Sequence, residues 1–252
     1  MPPTGPVRAL SLLRCACVAF GAGALVALFA AACAFQPGDD SRFASVAIDP
    51  KATPIALRNM DDSGRAIGNI GRLKELVESR GQYLRFAMNG GMYMEDLRPL
   101  GLYVEDGRTV RKLVTRTEGH GNFYLQPNGV FGVDSAGRAF VVTTADYPSL
   151  RGVRQATQSG PMLVVDGKVN AAFGTTSSNL NIRNGVGILP DGKALFAISK
   201  EPVNFHDFAR FFLDRGCRDA LFLDGTISRA YMPDAGIRQL DGQLGPLIVV
   251  VE

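Results

Sequence analysis

Asn204-Phe205-His206-Asp207-Phe208-Ala209-Arg210-Phe211-Phe212-Leu213-Asp214-Arg215-Gly216, followed three residues later by Ala220-Leu221-Phe222-Leu223-Asp224, is the stretch that decides the fold. Phe205, Phe208, Ala209, Phe212 and Leu213 recur at i, i+3, i+4, i+7 and i+8, the spacing of one apolar helix face. Asn204 is placed to cap the start, with Asp207 three residues on, and Gly216 supplies a left-handed stop. An aromatic face this wide needs a sheet to cover. The uninterrupted run Ala220 to Leu223 reads as a strand buried on both faces, which puts it inside that sheet.

Around this unit the chain is mostly short apolar runs between turn signals. Strands are expected over Leu100 to Glu105, Thr109 to Val114, Val130 to Val133, Ala139 to Thr143, Met162 to Val165, Gly185 to Leu189 and Leu247 to Val251. Asp106-Gly107, Asp166-Gly167 and Asp191-Gly192 lie between such runs, a strong hairpin signal because both residue types tolerate positive φ. A second helix is expected from Asn69 to Arg80, with Ile70, Leu73 and Val77 on one face and Gly81 as its stop, followed by a strand over Tyr83 to Met88. Helix then strand among hairpins predicts a mixed α/β (α+β) fold: a largely antiparallel sheet with a few packed helices in a single domain.

The 252 residues carry a formal charge of +3 with no Lys/Arg block, which argues against nucleic acid as a partner. Arg8 and Arg14 precede an uncharged apolar stretch, Cys15 to Phe35, the layout of an export signal. Phe29-Ala30-Ala31-Ala32-Cys33 is similar to the box at which bacterial lipoproteins are cut and lipidated on cysteine, with Ala30 where leucine is usual. Cleavage by an ordinary signal peptidase, or retention as an anchor, are the other two readings. All three place the domain outside the cytoplasm, in the periplasm or on the outer face of a membrane, with membrane association through the N-terminus. The expected division is a leader over 1–35, a polar tether over 36–45 and a folded domain over 46–252.

Cys217 stands alone beyond the leader, so no disulfide framework or cysteine-based metal cluster is expected, and it reads as a small apolar residue. No metal site and no cofactor are expected, although a structural calcium held by loop carbonyls would leave no sequence signature. The GxSxG elbow, the Walker loop and the dinucleotide fingerprint are absent, which weighs against serine hydrolases of that type and nucleotide enzymes.

Five Asp-Gly pairs occur, and Asp224-Gly225 differs from the others: it ends a four-residue apolar run and leads into Thr226-Ile227-Ser228-Arg229 rather than a return strand. A carboxylate at the end of a buried strand is where α/β sheets place sites. Asn89-Gly90-Gly91 and Ser159-Gly160-Pro161 each end a strand in small residues, readable as tight turns or as loops presenting amides to an anion. Arg183-Asn184-Gly185 opens a strand; the arginine is either a solvated strand end or a bidentate phosphate ligand. His120, in the loop Glu118-Gly119-His120-Gly121-Asn122, is a candidate substrate contact.

Taken in order, Asn89-Gly90-Gly91-Met92-Tyr93, Gln158-Ser159-Gly160-Pro161, Arg183-Asn184-Gly185-Val186-Gly187 and Leu223-Asp224-Gly225 resemble the phosphodiester glycosidase family. Gly121 to Phe131 and Pro202 to Phe212 resemble its bacterial branch. Many members carry further glycine and serine after the Asp-Gly, where this chain has Thr226-Ile227-Ser228. The resemblance implies hydrolysis of the C1–O bond of a sugar-1-phosphodiester, on an envelope or exported glycoconjugate. It implies Asp224 as the acid-base or nucleophilic carboxylate, Arg183 at the phosphate, and Asn89 with the Gly90, Gly91, Ser159 and Gly160 amides at phosphate and sugar. Asn184, Gly225, Ser228 and His120 complete the expected substrate contacts. A second carboxylate, if one is used, would come from Glu95, Asp96 or Asp207. The competing reading is a non-catalytic envelope module that grips phosphodiester-linked glycans with the same loops.

Overall fold

The computed structural model describes residues 41–224 and 227–252, all within one compact unit, Pro37–Glu252. The described residues form three sheets, in which every neighbouring pair of strands is antiparallel, and two α-helices.

The first sheet runs in the order Phe43–Ile48 (β1), Ala194–Ser199 (β12), Asn184–Ile188 (β11), Ala220–Asp224 (β13), Met162–Val165 (β9) and Lys168–Val169 (β10). The second is Ile237–Arg238 (β15), Ala230–Met232 (β14), Leu84–Asn89 (β3), Leu247–Val251 (β16) and Ala56–Arg58 (β2). The third is Arg108–Arg111 (β5), Tyr103–Glu105 (β4), Val153–Ser159 (β8), Gly129–Asp134 (β6) and Ala139–Thr143 (β7). The antiparallel expectation holds, but three sheets replace the one expected.

The reason is a core that all three sheets share. Leu221, Leu223 and Phe196 from the first sheet, Phe86, Met88 and Ile248 from the second, and Phe131 and Tyr103 from the third pack in one cluster. Alternation along β13 sends Leu221 and Leu223 to this centre and Ala220 and Phe222 to the opposite face. That opposite face is covered by Phe205–Leu213 (α2), which buries Phe208, Ala209, Phe211 and Phe212. Asn204 caps α2 by accepting from the Asp207 amide at 2.7 Å, and Gly216 follows its end at φ +82°. Ile70–Glu78 (α1) covers the second sheet with Ile70, Leu73 and Val77.

The three expected hairpins are present. Asp106 and Asp166 have φ of +51° and +49° with positive-φ glycines after them, and Asp191-Gly192 joins β11 to β12. Folding begins earlier than expected: β1 starts at Phe43 and pairs with β12 along its whole length, so the tether cannot extend to residue 45. Cys217 is fully buried under α2, and burial pushes its thiol up to about 12. No helix among the described residues is long and apolar enough to cross a membrane; the apolar stretch Cys15 to Phe35 lies outside them.

Candidate active site

Asp224 is the last residue of β13, at the end where the first and second sheets meet, and its side chain lines an open cleft of about 450 Å³. Around it stand Tyr93, Glu95, His120, Asn122 and Phe123. Only 3% of Asp224 is exposed, so the carboxylate forms the floor of the cleft rather than its rim.

A network of side-chain amides fixes that floor. Asn89, the last residue of β3, donates from Nδ2 to Asp224 Oδ2 at 3.0 Å and to the Ile227 carbonyl at 2.9 Å. Its Oδ1 accepts from the Arg229 amide at 2.8 Å and from Asn184 Nδ2 at 3.0 Å. Asn184 also donates to the Asn89 carbonyl at 2.8 Å and accepts from the Asp224 amide at 3.2 Å. Ser228 donates to the Ile182 carbonyl at 3.1 Å. Asn89, Asn184, Asp224 and Ser228, four buried polar residues from three stretches of the chain, are thereby tied into one network that fixes the carboxylate's orientation.

Burial first, then the Asp224 charge, raises the Tyr93 phenol above its ordinary value. The Tyr93 hydroxyl donates to the Gln243 carbonyl, holding the ring at the cleft wall. Gln158 works beneath the cleft. Its Oε1 accepts from the Leu102 and Val114 amides, both at 3.0 Å, and its Nε2 donates to the Val114 carbonyl at 2.7 Å.

The small-residue loops are packed closely against protein, and the Gly90 amide is not available to an anion. The Gly90 amide already donates to the Pro246 carbonyl at 2.7 Å, and a β-carbon there would meet Ile248 Cγ1 at 2.8 Å. Gly91 has φ +154°, and a β-carbon would meet Thr157 Oγ1 at 2.6 Å. Ser159 is fully buried and donates to the Leu223 carbonyl at 2.6 Å, tying β8 to the strand that carries Asp224. A β-carbon on Gly160 would come within 2.7 Å of Asn128 Cβ. These residues let three sheet ends converge; their glycines are needed for space.

Arg183 is likewise placed differently from the expectation of a phosphate ligand in the cleft. It is 1% exposed, does not line the cleft, and stacks over Phe205 at 3.7 Å from the ring centre. Its Nε donates to the Val203 carbonyl and its Nη2 to the Asn179 carbonyl, both at 2.8 Å. Burial lowers its guanidinium to about 10.

Of the three candidate second carboxylates, only Glu95 lines the cleft. Asp96 is exposed and accepts from the Arg98 amide at 3.0 Å in a local turn, and Asp207 pairs with Arg42 at 3.1 Å in the first turn of α2. Gly225 lies outside the described residues. Among the described residues no group of three or more His, Cys, Asp and Glu side chains is placed to hold a metal ion. Tyr93 and Asn122 belong to motifs visible in the sequence, but nothing there marked them as cleft-lining.

A deeply seated carboxylate held by strand-end amides in a three-sheet antiparallel fold now meets its relatives. Residues 82–244 match the phosphodiester glycosidase family, and the chain belongs to that family. The Escherichia coli (strain K12) protein YigE, itself uncharacterized, is 35% identical over 191 residues, which cover 75% of this chain and 74% of YigE. The catalytic domain of zebrafish N-acetylglucosamine-1-phosphodiester alpha-N-acetylglucosaminidase, solved auto-inhibited by its pro-peptide, superposes with a TM-score of 0.56. That match covers 84% of each chain at 15% identity, and shows a shared fold.

Proposed function

We propose that this chain hydrolyses a sugar-1-phosphodiester between the anomeric carbon and its oxygen. The observation that carries the reading is Asp224, buried at the floor of an open cleft with Oδ2 held by Asn89 at 3.0 Å. Cleavage at C1 passes through an oxocarbenium-like state, which a nearby carboxylate stabilises by charge or by covalent capture. The C1–O bond breaks, its electron pair and oxygen leave with the phosphomonoester, and a water oxygen takes their place on C1 with loss of a proton. A phosphomonoester leaves as a stabilised anion, so the demand for an acid is smaller than with an alcohol leaving group.

Asp224 is assigned to the anomeric centre. His120 is the one basic side chain lining the cleft among the described residues, and we assign it to the phosphate. Glu95 is assigned as the second carboxylate. Asn89, Asn184 and Ser228 act through Asp224 as positioning residues. The leader reading adds an exported setting, with the domain outside the cytoplasm and held to a membrane through Cys33 or the apolar stretch before it, acting on envelope or exported glycoconjugates.

The test is hydrolysis of a panel of sugar-1-phosphodiesters in ¹⁸O-labelled water. Cleavage at carbon puts the label in the released sugar, whereas attack at phosphorus puts it in the phosphate. Asp224→Asn, checked for folding by circular dichroism, should lose turnover. Unchanged turnover in that variant, or label in phosphate, would sink the assignment. Tight binding with no product from any member would favour a glycan-binding module.

A further inference from the structure

Strand β5 has a single neighbour, β4, and so forms one edge of the third sheet. The run from it onward, Arg108-Thr109-Val110-Arg111-Lys112-Leu113-Val114-Thr115-Arg116, holds four cations and no acid. In a regular strand Arg108 and Arg111 would face opposite ways. Here the ladder sets Arg108 opposite Glu105 and Arg111 opposite Tyr103, with Val110 as the extra residue of a bulge between them, so both arginines share one face. Arg154 brings a further charge to the hairpin: a β-carbon on Gly107 would meet its Nη1 at 3.5 Å.

These charges are not neutralised. Most arginines among the described residues are paired with a carboxylate, as Arg65 is with Asp61 and Arg138 with Asp134. Arg108, Arg111, Lys112, Arg116 and Arg154 have no such partner among the described residues, and the hairpin's own acids, Glu105 and Asp106, are taken by Arg58 at 3.5 and 3.2 Å. Cations on an edge strand also deter its pairing with another sheet. That purpose is met within β5 and asks nothing of Lys112 or Arg116, which lie beyond it.

The row points at the cleft. Val114 is tied through its amide and its carbonyl to Gln158, beneath the cleft, and from there residues 115–120 run fully exposed to His120 on the cleft wall. Arg116 is held on the way: its Nη2 donates to the Tyr124 hydroxyl at 2.8 Å, and its guanidinium lies 5.3 Å from that ring's centre. Glu118 is the one acid in this stretch. From Arg108 to Arg116 the chain spans at most about 26 Å. Like charges in a single file suit a linear anion, whose counterions they displace, whereas a membrane presents its anions across a plane.

We propose that the segment Arg108 to Arg116 is a binding rail for a linear polyanion, a chain of units joined by phosphodiesters, and that it lays one link of that chain in the Asp224 cleft. The substrate is then a polymer carrying several phosphates. This rests on the reading of the Asp224 cleft as the reactive site.

The experiment uses glycerol phosphate oligomers with one, three and eight phosphodiester links, which carry the charges without a sugar and so have no anomeric carbon to cut. Calorimetric titration is run on the parent, on Arg108→Gln/Arg111→Gln/Lys112→Gln, and on a control of equal charge change, Lys168→Gln/Lys200→Gln/Arg218→Gln, each checked for folding by circular dichroism. At about 50 mM salt the longest oligomer should bind the parent about tenfold more tightly than the single diester. Its log K should fall against log salt with a slope of roughly −3, as when four cations meet phosphates. The rail variant should lose the tenfold gain and flatten the slope, while the control keeps both. Amide shifts in the labelled parent should extend from Arg108 to His120. No dependence on length, equal losses in the two variants, or shifts that stop before Arg116 would overturn the rail. Tighter binding to phosphatidylglycerol–phosphatidylcholine vesicles than to the longest oligomer, lost in the rail variant, would make the segment a membrane contact and overturn the polymer. None of these readouts needs turnover. Length-dependent binding by a chain that hydrolyses no sugar-1-phosphodiester would keep the rail and remove the catalytic reading, and hydrolysis without length-dependent binding would do the reverse.

Discussion

Asn89 Nδ2 donates to Asp224 Oδ2 at 3.0 Å, joining residues 135 apart at the ends of two strands from different sheets. The same side chain accepts from the Arg229 amide and Asn184 Nδ2, so its loss removes the side-chain acceptor of one and one of the two acceptors of the other, as well as a donor to the carboxylate. Asn89→Ala should lower stability by about 1–3 kcal/mol. It should also reduce kcat by about 10²-fold, the scale of an ångström's misplacement of a reacting group. Chemical denaturation and hydrolysis of a sugar-1-phosphodiester measure the two effects separately. A stable variant with full kcat would show that Asp224 needs no orientation.

Ser159 separates a scaffold role from substrate contact. Its hydroxyl is fully buried and donates to the Leu223 carbonyl, one residue before Asp224. Ser159→Ala should cost about 1 kcal/mol in stability and leave KM where it is, because the hydroxyl faces protein. A raised KM with unchanged stability would return Ser159 to the ligand.

Gly91 is constrained twice over. Its φ of +154° is rare for a residue with a side chain, and its missing β-carbon makes room for Thr157 Oγ1 at 2.6 Å. Gly91→Ala should destabilise the fold by about 1–3 kcal/mol through overpacking, with backbone strain adding to it. Thr157→Ala removes the colliding oxygen, so the double variant should recover the steric part and keep the conformational part. Denaturant midpoints of the two single variants and the double variant give the coupling. Strict additivity would mean that Thr157 is not what Gly91 accommodates.

What the sequence made legible follows from periodicity and punctuation. The aromatic face of α2 and the doubly buried β13 were readable because both have strong patterns, and the Asp-Gly hairpins because positive φ restricts residue choice. β2, β10, β14 and β15 are two or three residues long, too short for any period to register. β1 was hidden by the polar residues just before it, which extended the apparent tether into the strand. Asp224 stood out through its flanks. The roles of Gly90, Gly91 and Gly160 did not, since a glycine that admits a ligand and a glycine that admits Ile248, Thr157 or Asn128 look alike in one dimension. Arg183 was misleading for a related reason: its partners are the carbonyls of Val203 and Asn179, which no side-chain pattern announces.

Glu95 is where three-dimensional placement ranks alternatives that spacing leaves equal. Glu95, Asp96 and Asp207 are all acidic residues near a motif, yet Asp96 is tied into its own turn and Asp207 into the start of α2 with Arg42, while Glu95 faces the cleft that holds Asp224. General acid or base groups contribute roughly 10²–10⁴-fold, and a phosphomonoester leaving group needs little protonation, so the lower end applies here. Glu95→Gln should therefore cut kcat by about 10²-fold and flatten one limb of the pH–rate profile. Asp96→Asn should leave both unaltered, and Asp207→Asn should cost only ~0.3–1 kcal/mol of helix stability. The choice of aglycone then tells acid from base. If Glu95 protonates the departing oxygen, the Glu95→Gln defect should shrink as the leaving phosphate monoester becomes more acidic, from alkyl to aryl. If it activates water, the defect should stay constant across that series. A profile and rate unchanged from the parent would remove Glu95 from the chemistry and leave Asp224 as the one carboxylate serving the anomeric carbon.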